Sequence, residues 1–333
     1  MLDEIVTLDY GSGGEKTAAL IEEVFLPAFS NDALRALGDG ALVSGAENLC
    51  FSTDSFVVDP LFFPGGDIGK LCVCGTVNDL LVSGAQPLYL SLSAIIEEGF
   101  SMEKLKRIVQ SAAETARRAN VSIVTGDTKV VPRGRGDGVY LNTAGIGRVV
   151  RGDLCPDAIC EGDVVLVNGD VGRHGMSVML ARHELGLSGE VPSECAPLCE
   201  IAPKLWELPT LRVLRDPTRG GLATTLCEFA ERRPFSIELD EAAIPIDPAV
   251  SAACEMLGID PLYSACEGRL IAVVSPNDAD AALEIMKSAQ GGTQAAIIGR
   301  VKREHAGHVI LRTALGAGRI LPRLAGAQLP RIC

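Results

Sequence analysis

The sequence predicts a mixed α/β protein made of two successive units of strands and helices. Three observations lead to this prediction. The chain has 333 residues, which is too long for one ordinary hydrophobic core and suits two domains. Stretches in which apolar and polar residues alternate, as in strands, take turns along the chain with stretches of helical spacing. Glycine, proline and aspartate cluster at residues 151–163, which is typical of a connection between units.

The first unit, residues 1–153, contains predicted strands at 49–58, 87–96, 121–127 and 139–150. The stretch at 68–85 is small and apolar nearly all round and predicts a buried helix. The stretch at 101–119 predicts an amphipathic helix with Ser101 as its N-cap. Its expected buried stripe is Leu105, Ile108, Val109, Ala112, Ala113 and Ala116.

The second unit, residues 154–315, contains predicted strands at 164–169 and 269–275 and predicted helices at 216–233 and 277–289. Residues 316–333 are predicted to form a flexible arm that ends in Cys333. When extended, these 18 residues would span at most about 60 Å.

The composition excludes several classes of protein. The net charge is −13, the pI is about 4.9 and aromatic residues make up 4%, which argues against nucleic-acid binding. We expect no leader peptide and no membrane span, because no basic segment precedes an apolar one and no uncharged run is long enough. The eleven cysteines lack zinc-finger spacing and indicate reduced, mostly buried thiols in a cytoplasmic protein.

Four aspartates stand at the ends of apolar stretches, beside glycine or hydroxyl-bearing residues. They are Asp54 in STDS, Asp79 in VNDL, Asp127 in VTGDTK and Asp216 in DPTRGG. Taken singly, each is more typical of a turn or a helix cap. Taken together, they predict a site for Mg²⁺ and a nucleotide, because Mg²⁺ binds through one or two carboxylates plus phosphate oxygens.

Two glycine-rich stretches are candidates for phosphate binding. In YGSGGEKT, Gly13 and Gly14 precede Lys16, so backbone N–H groups and a positive charge could approach a phosphate. This is not a Walker A pattern, and a flexible N-terminal segment is the simpler alternative. In TRGGL, Arg219 and Gly220 open a helix whose N-terminus could hold an anion, or they simply start a helix.

Glu267, in YSACEGRL, lies in a loop before an apolar strand and is a candidate general base. A carboxylate takes this role when its surroundings raise its pKa. More often, a glutamate in such a loop is only solvated.

Five stretches of the chain resemble the HypE family of hydrogenase expression/formation proteins. They are STDSFVVDPLFFPGGDIGKLCVCGTVNDLLVSGAQPLYLS, VTGDTKVV, NTAGIGR, DPTRGGLAT and the final PRIC. The resemblance covers essentially the whole chain, and the long stretch at 52–91 together with the last cysteine makes it specific. This family is similar in turn to aminoimidazole ribotide synthetase and selenophosphate synthetase. The resemblance therefore implies a two-domain α/β fold that dimerises through its N-terminal sheet.

The resemblance also implies an activity. A HypE protein receives a carbamoyl group from the carbamoyltransferase HypF on its last cysteine, here Cys333, and uses ATP to dehydrate the thiocarbamate to a thiocyanate. The cyano group then passes to iron on the HypC–HypD scaffold for the [NiFe]-hydrogenase centre. ATP and Mg²⁺ are the implied cofactors, and a cytoplasmic homodimer is the implied state.

The resemblance assigns roles to particular residues. The acids that hold Mg²⁺–ATP correspond to Asp54, Asp79, Asp127 and Asp216. The glycine-lysine loop corresponds to Gly13, Gly14 and Lys16. The lysine and glutamate that act near the arm correspond to Lys129 and Glu267.

The chain departs from the family pattern at position 266. The family has asparagine before Glu-Gly, whereas this chain has Cys266, whose thiol is a poor hydrogen-bonding group. We therefore expect a change in how Glu267 is oriented. We also expect a second thiol near the docking site of the arm, where it could compete with Cys333.

Two other functions fit parts of the sequence. A related enzyme of the same superfamily would act on a free small molecule and would not need Cys333. A non-catalytic thiol carrier would need the arm but not the lysine and aspartates of a nucleotide site.

Overall fold

The computed structural model describes residues 14–20, 22–23, 41–43, 48–182 and 191–326. Within these ranges, a five-stranded sheet frames the N-terminal half and a seven-stranded sheet frames the C-terminal half. Helices pack against both sheets, so the predicted mixed α/β fold is confirmed.

The N-terminal sheet has the strand order β1-β2-β7-β5-β6. Its strands are β1 (Ala41–Val43), β2 (Leu49–Phe56), β5 (Ala85–Glu97), β6 (Ser122–Val131) and β7 (Val139–Val149). The pair β5–β6 is parallel and the other neighbours are antiparallel. A short hairpin of β3 (Phe62–Phe63) and β4 (Gly66–Asp67) follows β2.

Among its described residues, the N-terminal half has the helices α1 (Glu15–Leu20), α2 (Ile68–Val82) and α3 (Met102–Arg118). The carboxylate of Asp67 caps α2 by accepting hydrogen bonds from the N–H groups of Gly69 and Lys70. The helix α2 lies between the sheet, α3 and the C-terminal half, and is therefore buried on nearly every side. The prediction of a buried helix here is confirmed, as is the Ser101 cap of α3.

Two burial predictions for this half are wrong. Val109, assigned to the buried stripe of α3, is 54% exposed. The stretch at 121–127, predicted as a buried strand, belongs to the edge strand β6, where Val124 is 58% exposed. An apolar pattern alone does not reveal which strand has a neighbour on one side only.

The C-terminal sheet has the order β14-β13-β10-β12-β8-β11-β9, and only its β10–β13 pair is parallel. Its strands are β8 (Val164–Val167), β9 (Leu211–Arg215), β10 (Ser236–Asp240), β11 (Ile271–Val274), β12 (Ala296–Lys302), β13 (Val309–Arg312) and β14 (Gly318–Leu321). The strand β14 lies in the stretch that the sequence assigned to the arm.

In the described part of the C-terminal half, the helices are α4 (Arg173–Ala181), α5 (Ala202–Trp206), α6 (Gly221–Ala230), α7 (Pro248–Leu257) and α8 (Ala279–Ser288). The helix α6 begins five residues later than predicted. Pro217 and the left-handed Gly220, with φ of 76°, keep residues 216–220 out of the helix. A side chain at Gly220 would also overlap Thr224.

Residues 191–199, the crossing segment, join the two halves. The N–H group of Ser193 donates to the carbonyl oxygen of Pro64 at 2.8 Å, and the N–H group of Leu198 donates to Asn78 Oδ1 at 2.9 Å. One hydrophobic core continues from α2 through this segment to the C-terminal sheet. The two halves therefore share a packed boundary, and the acidic side chains described below lie along it.

No helix in the described ranges combines the length and the apolar character needed to cross a membrane.

Candidate active site

The predicted metal ligands Asp54 and Asp79 lie on adjoining elements. Asp54 is half-buried near the end of β2, where its Oδ1 accepts a hydrogen bond from the N–H group of Ser55 at 2.8 Å. Asp79 is half-buried on α2, and its Oδ2 accepts a hydrogen bond from Ser52 Oγ at 2.7 Å. Ser52 and Asp54 share one face of β2, because side chains two residues apart on a strand point the same way. Ser52 therefore links the two aspartates.

Asp216 and Arg219 come from the loop between β9 and α6. Asp216 is 5% exposed, whereas Arg219 is exposed. Burial raises the pKa of Asp54, while the positive charge of Arg219 and the N–H group of Ser55 lower it. Arg219, from the C-terminal half, thus acts on an aspartate of the N-terminal half.

Glu267 lies in the loop before β11, where backbone groups are held individually rather than in a sheet. The N–H group of Cys266 donates to the carbonyl oxygen of Pro217 at 3.1 Å. The N–H group of Glu267 donates to Glu194 Oε1 at 3.1 Å, and its carbonyl oxygen accepts from Asn78 Nδ2 at 3.3 Å. These contacts fix the loop against both halves of the chain.

The carboxyl group of Glu267 lies among several other ionisable side chains. Burial raises its pKa well above the usual range, and the nearby Cys195, Asp216, Asp54 and Glu194 raise it further. An elevated pKa lets a carboxylate accept a proton near neutral pH. A raised pKa is the property that a general base needs here, and the role of Glu267 stays a prediction.

Cys266 does not behave as the departure from the family pattern suggested. Its side chain is fully buried, and its sulfur accepts a hydrogen bond from the N–H group of Gly172 at 3.1 Å. Burial raises the pKa of this thiol well above its usual value, which suppresses the reactive thiolate. The expectation of a competing thiol is wrong for this reason. Glu194 and Asn78, rather than residue 266, hold the backbone of Glu267.

The structure describes the remaining predicted site residues only in part or not at all. Gly13 and Cys333 lie outside the described residues. For Lys16 in α1 and Asp127 in β6, the backbone is described. Lys129 is exposed on β6, and the strands β5 and β7 lie between β6 and the strand that carries Asp54. Its role stays a prediction.

The beginning of the arm passes beside the glycine-lysine stretch. Gly14 is buried, and the N–H group of Glu15 donates to the carbonyl oxygen of Leu324 at 3.0 Å. Residues 321–324, the arm root, are also fixed to α6 and its surroundings. Arg323 pairs with Glu228 at 2.9 Å, and the hydroxyl group of Tyr263 donates to the carbonyl oxygen of Pro322 at 2.7 Å.

The carboxylates suit a divalent cation that is held jointly with a nucleotide. In the described part of the chain, no group of three or more metal-binding side chains could hold an ion unaided. Asp54 and Asp216 nevertheless bring oxygen ligands to the same boundary, where both raise the pKa of Glu267. Mg²⁺ needs only one or two carboxylates when phosphate oxygens and water complete its shell, so this donor set fits.

Sequence reasoning did not single out Ser52, Asn78 or Glu194. Asn78 stands next to Asp79, and a polar residue on the buried face of an apolar helix is the signal that could have identified it. Glu194, in SECAP, carries no local pattern, because only the fold brings it to residue 267.

Comparison with known proteins gives the same architecture. Residues 37–149 match the N-terminal domain of the AIR synthase related proteins, and residues 161–312 match their C-terminal domain. Carbamoyl dehydratase HypE of Cupriavidus necator is 48% identical, with 98% of this chain and 95% of that protein covered.

Solved structures extend the comparison. A chain in the crystal structure of a HypE–HypF complex is 48% identical with a TM-score of 0.87, covering 92% of this chain and 100% of that one. The crystal structure of HypE in complex with ATP is 45% identical with a TM-score of 0.83, covering 99% and 100%.

Proposed function

Because this chain belongs to the HypE family of carbamoyl dehydratases, we propose that it dehydrates an S-carbamoyl group on Cys333 to a thiocyanate at the expense of ATP. The product would supply the cyanide ligand during [NiFe]-hydrogenase maturation.

One observation carries this proposal. Asp54 of the N-terminal half, and Asp216, Arg219 and Glu267 of the C-terminal half, meet at the boundary between the halves. This arrangement provides oxygen ligands and a cationic group for a nucleotide beside a half-buried candidate base. A thiol carrier without catalysis would not need such a set, and it would not need to bury like charges together.

The first step activates the carbamoyl oxygen. In the thiocarbamate, this oxygen is a poor leaving group, so its loss as water is slow. Transfer of the γ-phosphoryl group from ATP to the oxygen yields ADP and an O-phosphorylated intermediate, with release of one N–H proton as the carbon–nitrogen double bond forms. Arg219 and Lys16 are suited to stabilise the charge that spreads over the phosphate oxygens.

The second step forms the nitrile. Glu267 removes the remaining N–H proton, the nitrogen electron pair forms the third carbon–nitrogen bond, and the carbon–oxygen bond breaks with release of phosphate. Lys129 is proposed to orient the phosphate or the carbamoyl oxygen. Raising the pKa of Glu267 makes the carboxylate a stronger base, which favours this step.

Mg²⁺ fits this site, with Asp54, Asp79 and Asp216 as its protein ligands, and would supply positive charge at the phosphate oxygens. Gly13, Gly14, Asp127 and Gly220 are proposed to contact the nucleotide.

The partners follow from the same proposal. Since a relative was crystallised with HypF, we expect this chain to accept its carbamoyl group from a HypF carbamoyltransferase and to deliver the cyano group to a HypC–HypD scaffold. The exposed apolar side chains Phe51, Tyr89 and Ile146 lie side by side on the outer face of the N-terminal sheet. A second copy of the chain is the proposed occupant of this face.

The deciding experiment follows the intact mass of the protein. We expect incubation with HypF and its carbamoyl donor to add one carbamoyl group, and subsequent ATP with Mg²⁺ to remove the mass of one water. The Cys333→Ala variant should show neither change. Carbamoylation without loss of water would indicate a thiol carrier, and ATP turnover that needs no carbamoylated cysteine would indicate a small-molecule enzyme. Either result would overturn the proposal.

A further inference from the structure

The backbone of Glu267 is held from both sides by side chains of other segments. Its N–H group donates to Glu194 Oε1 at 3.1 Å, and its carbonyl oxygen accepts from Asn78 Nδ2 at 3.3 Å. In a loop without a sheet partner, backbone groups of this kind are otherwise satisfied by water, which fixes no direction. Two directed contacts on one peptide segment restrict where its side chain starts.

Asn78 is itself fully engaged. The same amide nitrogen donates to the carbonyl oxygen of Ala196 at 3.1 Å, and Asn78 Oδ1 accepts from the N–H group of Leu198 at 2.9 Å. Asn78 is 1% exposed on α2, next to Asp79. It therefore ties the crossing segment and the Glu267 loop to the helix that carries a proposed metal ligand.

Gly268 lets the crossing segment reach the loop. A Cβ atom at this position would overlap the carbonyl oxygen of Glu194, so only glycine allows the two backbones to lie this close. The next residue, Arg269, is 6% exposed and pairs with Asp170. Of three consecutive residues, Glu267 is the candidate base, Gly268 lets the crossing segment lie against the loop, and Arg269 forms a buried ion pair.

Glu194 lowers the stability of the fold more than a purely structural contact requires. Its Oε2 is buried and has no hydrogen-bond partner among the described residues. Burial raises the pKa of Glu194 to about 7, although the charge of Arg269 lowers it. A neutral residue could satisfy one N–H group at lower cost to stability, so a carboxyl group whose second oxygen is buried without a partner points to a role in the site.

We propose that Glu194, together with Asn78, is a positioning residue that fixes the peptide of Glu267 so that its carboxyl group meets the carbamoyl nitrogen. The inference rests on the proposed function and deepens it. Glu194 acts through its hydrogen bond to the backbone and does not touch the substrate. Errors of about 1 Å in the placement of a catalytic group cost on the order of 10²-fold in rate, which sets the scale of the effect.

Two substitutions separate the hydrogen bond from the space that Glu194 fills. Glu194→Gln retains an oxygen that can accept from the N–H group of Glu267. Glu194→Met retains the length of the side chain and removes the acceptor. Glu200→Met is the matched control, because Glu200 is exposed on the adjoining part of the chain.

The measurement is a single-turnover dehydration rate, read by intact mass on protein that HypF has already carbamoylated. Glu194→Met should slow dehydration by about 10²-fold. Glu194→Gln should dehydrate at a rate within about tenfold of that of the unmodified protein, and Glu200→Met should leave the rate unchanged. The extent of carbamoylation and the affinity for a non-hydrolysable ATP analogue should be the same in all variants, and the melting temperature should not fall in parallel with the rate.

A wild-type rate in Glu194→Met would overturn the inference. An equal loss in Glu194→Gln and Glu194→Met would also overturn it, because the charge and not the hydrogen bond would then matter. A fall in the melting temperature parallel to the rate would indicate a purely structural role. If the unmodified protein itself fails to lose water, the proposed function is at fault and not the assignment of Glu194.

Discussion

Ser52 Oγ lies 2.7 Å from Asp79 Oδ2 and donates a hydrogen bond to it. The strand that carries Asp54 is thereby tied to the helix that carries Asp79. The two carboxylates come from separate elements, and their relation depends on a hydroxyl group that no metal-binding pattern contains.

We expect Asp54→Asn and Asp79→Asn each to lower ATP turnover by about 10²-fold or more, because a ligand to the metal–nucleotide complex is lost. Burial already disfavours the charged form of Asp54, so its neutral amide should leave the melting temperature unchanged or higher. Asp280→Asn is the control, since Asp280 is exposed on α8. Unchanged turnover in both site variants would contradict the metal assignment.

Glu267→Gln should permit carbamoylation and ATP binding while slowing formation of the thiocyanate. Glutamine keeps the size of the side chain and loses its basicity, and loss of a general base costs on the order of 10²–10⁴ in rate. Intact mass after a single turnover measures the effect. A rate equal to that of the unmodified protein would remove Glu267 from the mechanism.

The fate of the carbamoyl group distinguishes two cysteines. Cys333→Ala should abolish the mass gain from carbamoylation, whereas Cys266→Ala should retain it, since the buried Cys266 thiol accepts a hydrogen bond from Gly172 and has a raised pKa. A mass gain in Cys333→Ala would place the acceptor elsewhere. Its position could then be located by peptide mapping.

His174 predicts how stability depends on pH. It is 1% exposed, and burial lowers its pKa to about 3. His174 Nδ1 and Ser193 Oγ lie 2.9 Å apart and share a hydrogen bond, and Ser193 Oγ also accepts from the N–H group of Cys195. Burial holds the imidazole neutral.

Below about pH 6.5 the unfolded chain binds a proton at this histidine and the folded chain does not, so stability falls as the pH falls towards 3. From pH 7 to pH 5 this residue should cost about 2 kcal/mol of unfolding free energy. His174→Asn keeps an acceptor near the Nδ1 position and cannot titrate. Denaturant unfolding at both pH values should show a smaller acid loss in this variant, and parallel curves would refute the assignment.

The outer face of the N-terminal sheet predicts an oligomeric state. Tyr89 is 50% exposed and lies beside Ile146, which in turn lies beside Phe51. Tyr89→Glu should convert a dimer into a monomer in light scattering, because it introduces a charge into an apolar contact. Met256→Glu, at an exposed apolar residue of α7, should leave the dimer intact.

The sequence predicted the elements whose patterns are local. The apolar run of α2, the N-cap Ser101 and the alternation of β5 each depend on neighbouring residues, and each is found close to its predicted position. Exposure depends on topology instead, which is why Val124 on the edge strand was wrongly expected to be buried.

The site residues also divide into those with a local sequence pattern and those that only the fold brings together. Asp54 and Glu267 stood out because each ends or precedes an apolar stretch, which is a local property. Glu194 meets Glu267 although 73 positions separate them, and no spacing rule connects the two. Likewise, the buried thiol of Cys266 accepts its hydrogen bond from Gly172, which is 94 positions away.

The position of the arm root sets the effective concentration of the Cys333 thiol around its anchor. Since Leu324 is held by Glu15 and Arg323 by Glu228, the tether of Cys333 is measured from residue 324 and not from residue 316. The nine residues 325–333 then lead from the anchor to the thiol, and they reach at most about 30 Å, half of the span that the sequence suggested. Halving the radius confines the thiol to about one eighth of the volume, on the order of 10 mM. A free thiol would have to reach that concentration in solution to compete with Cys333 for a site within this radius.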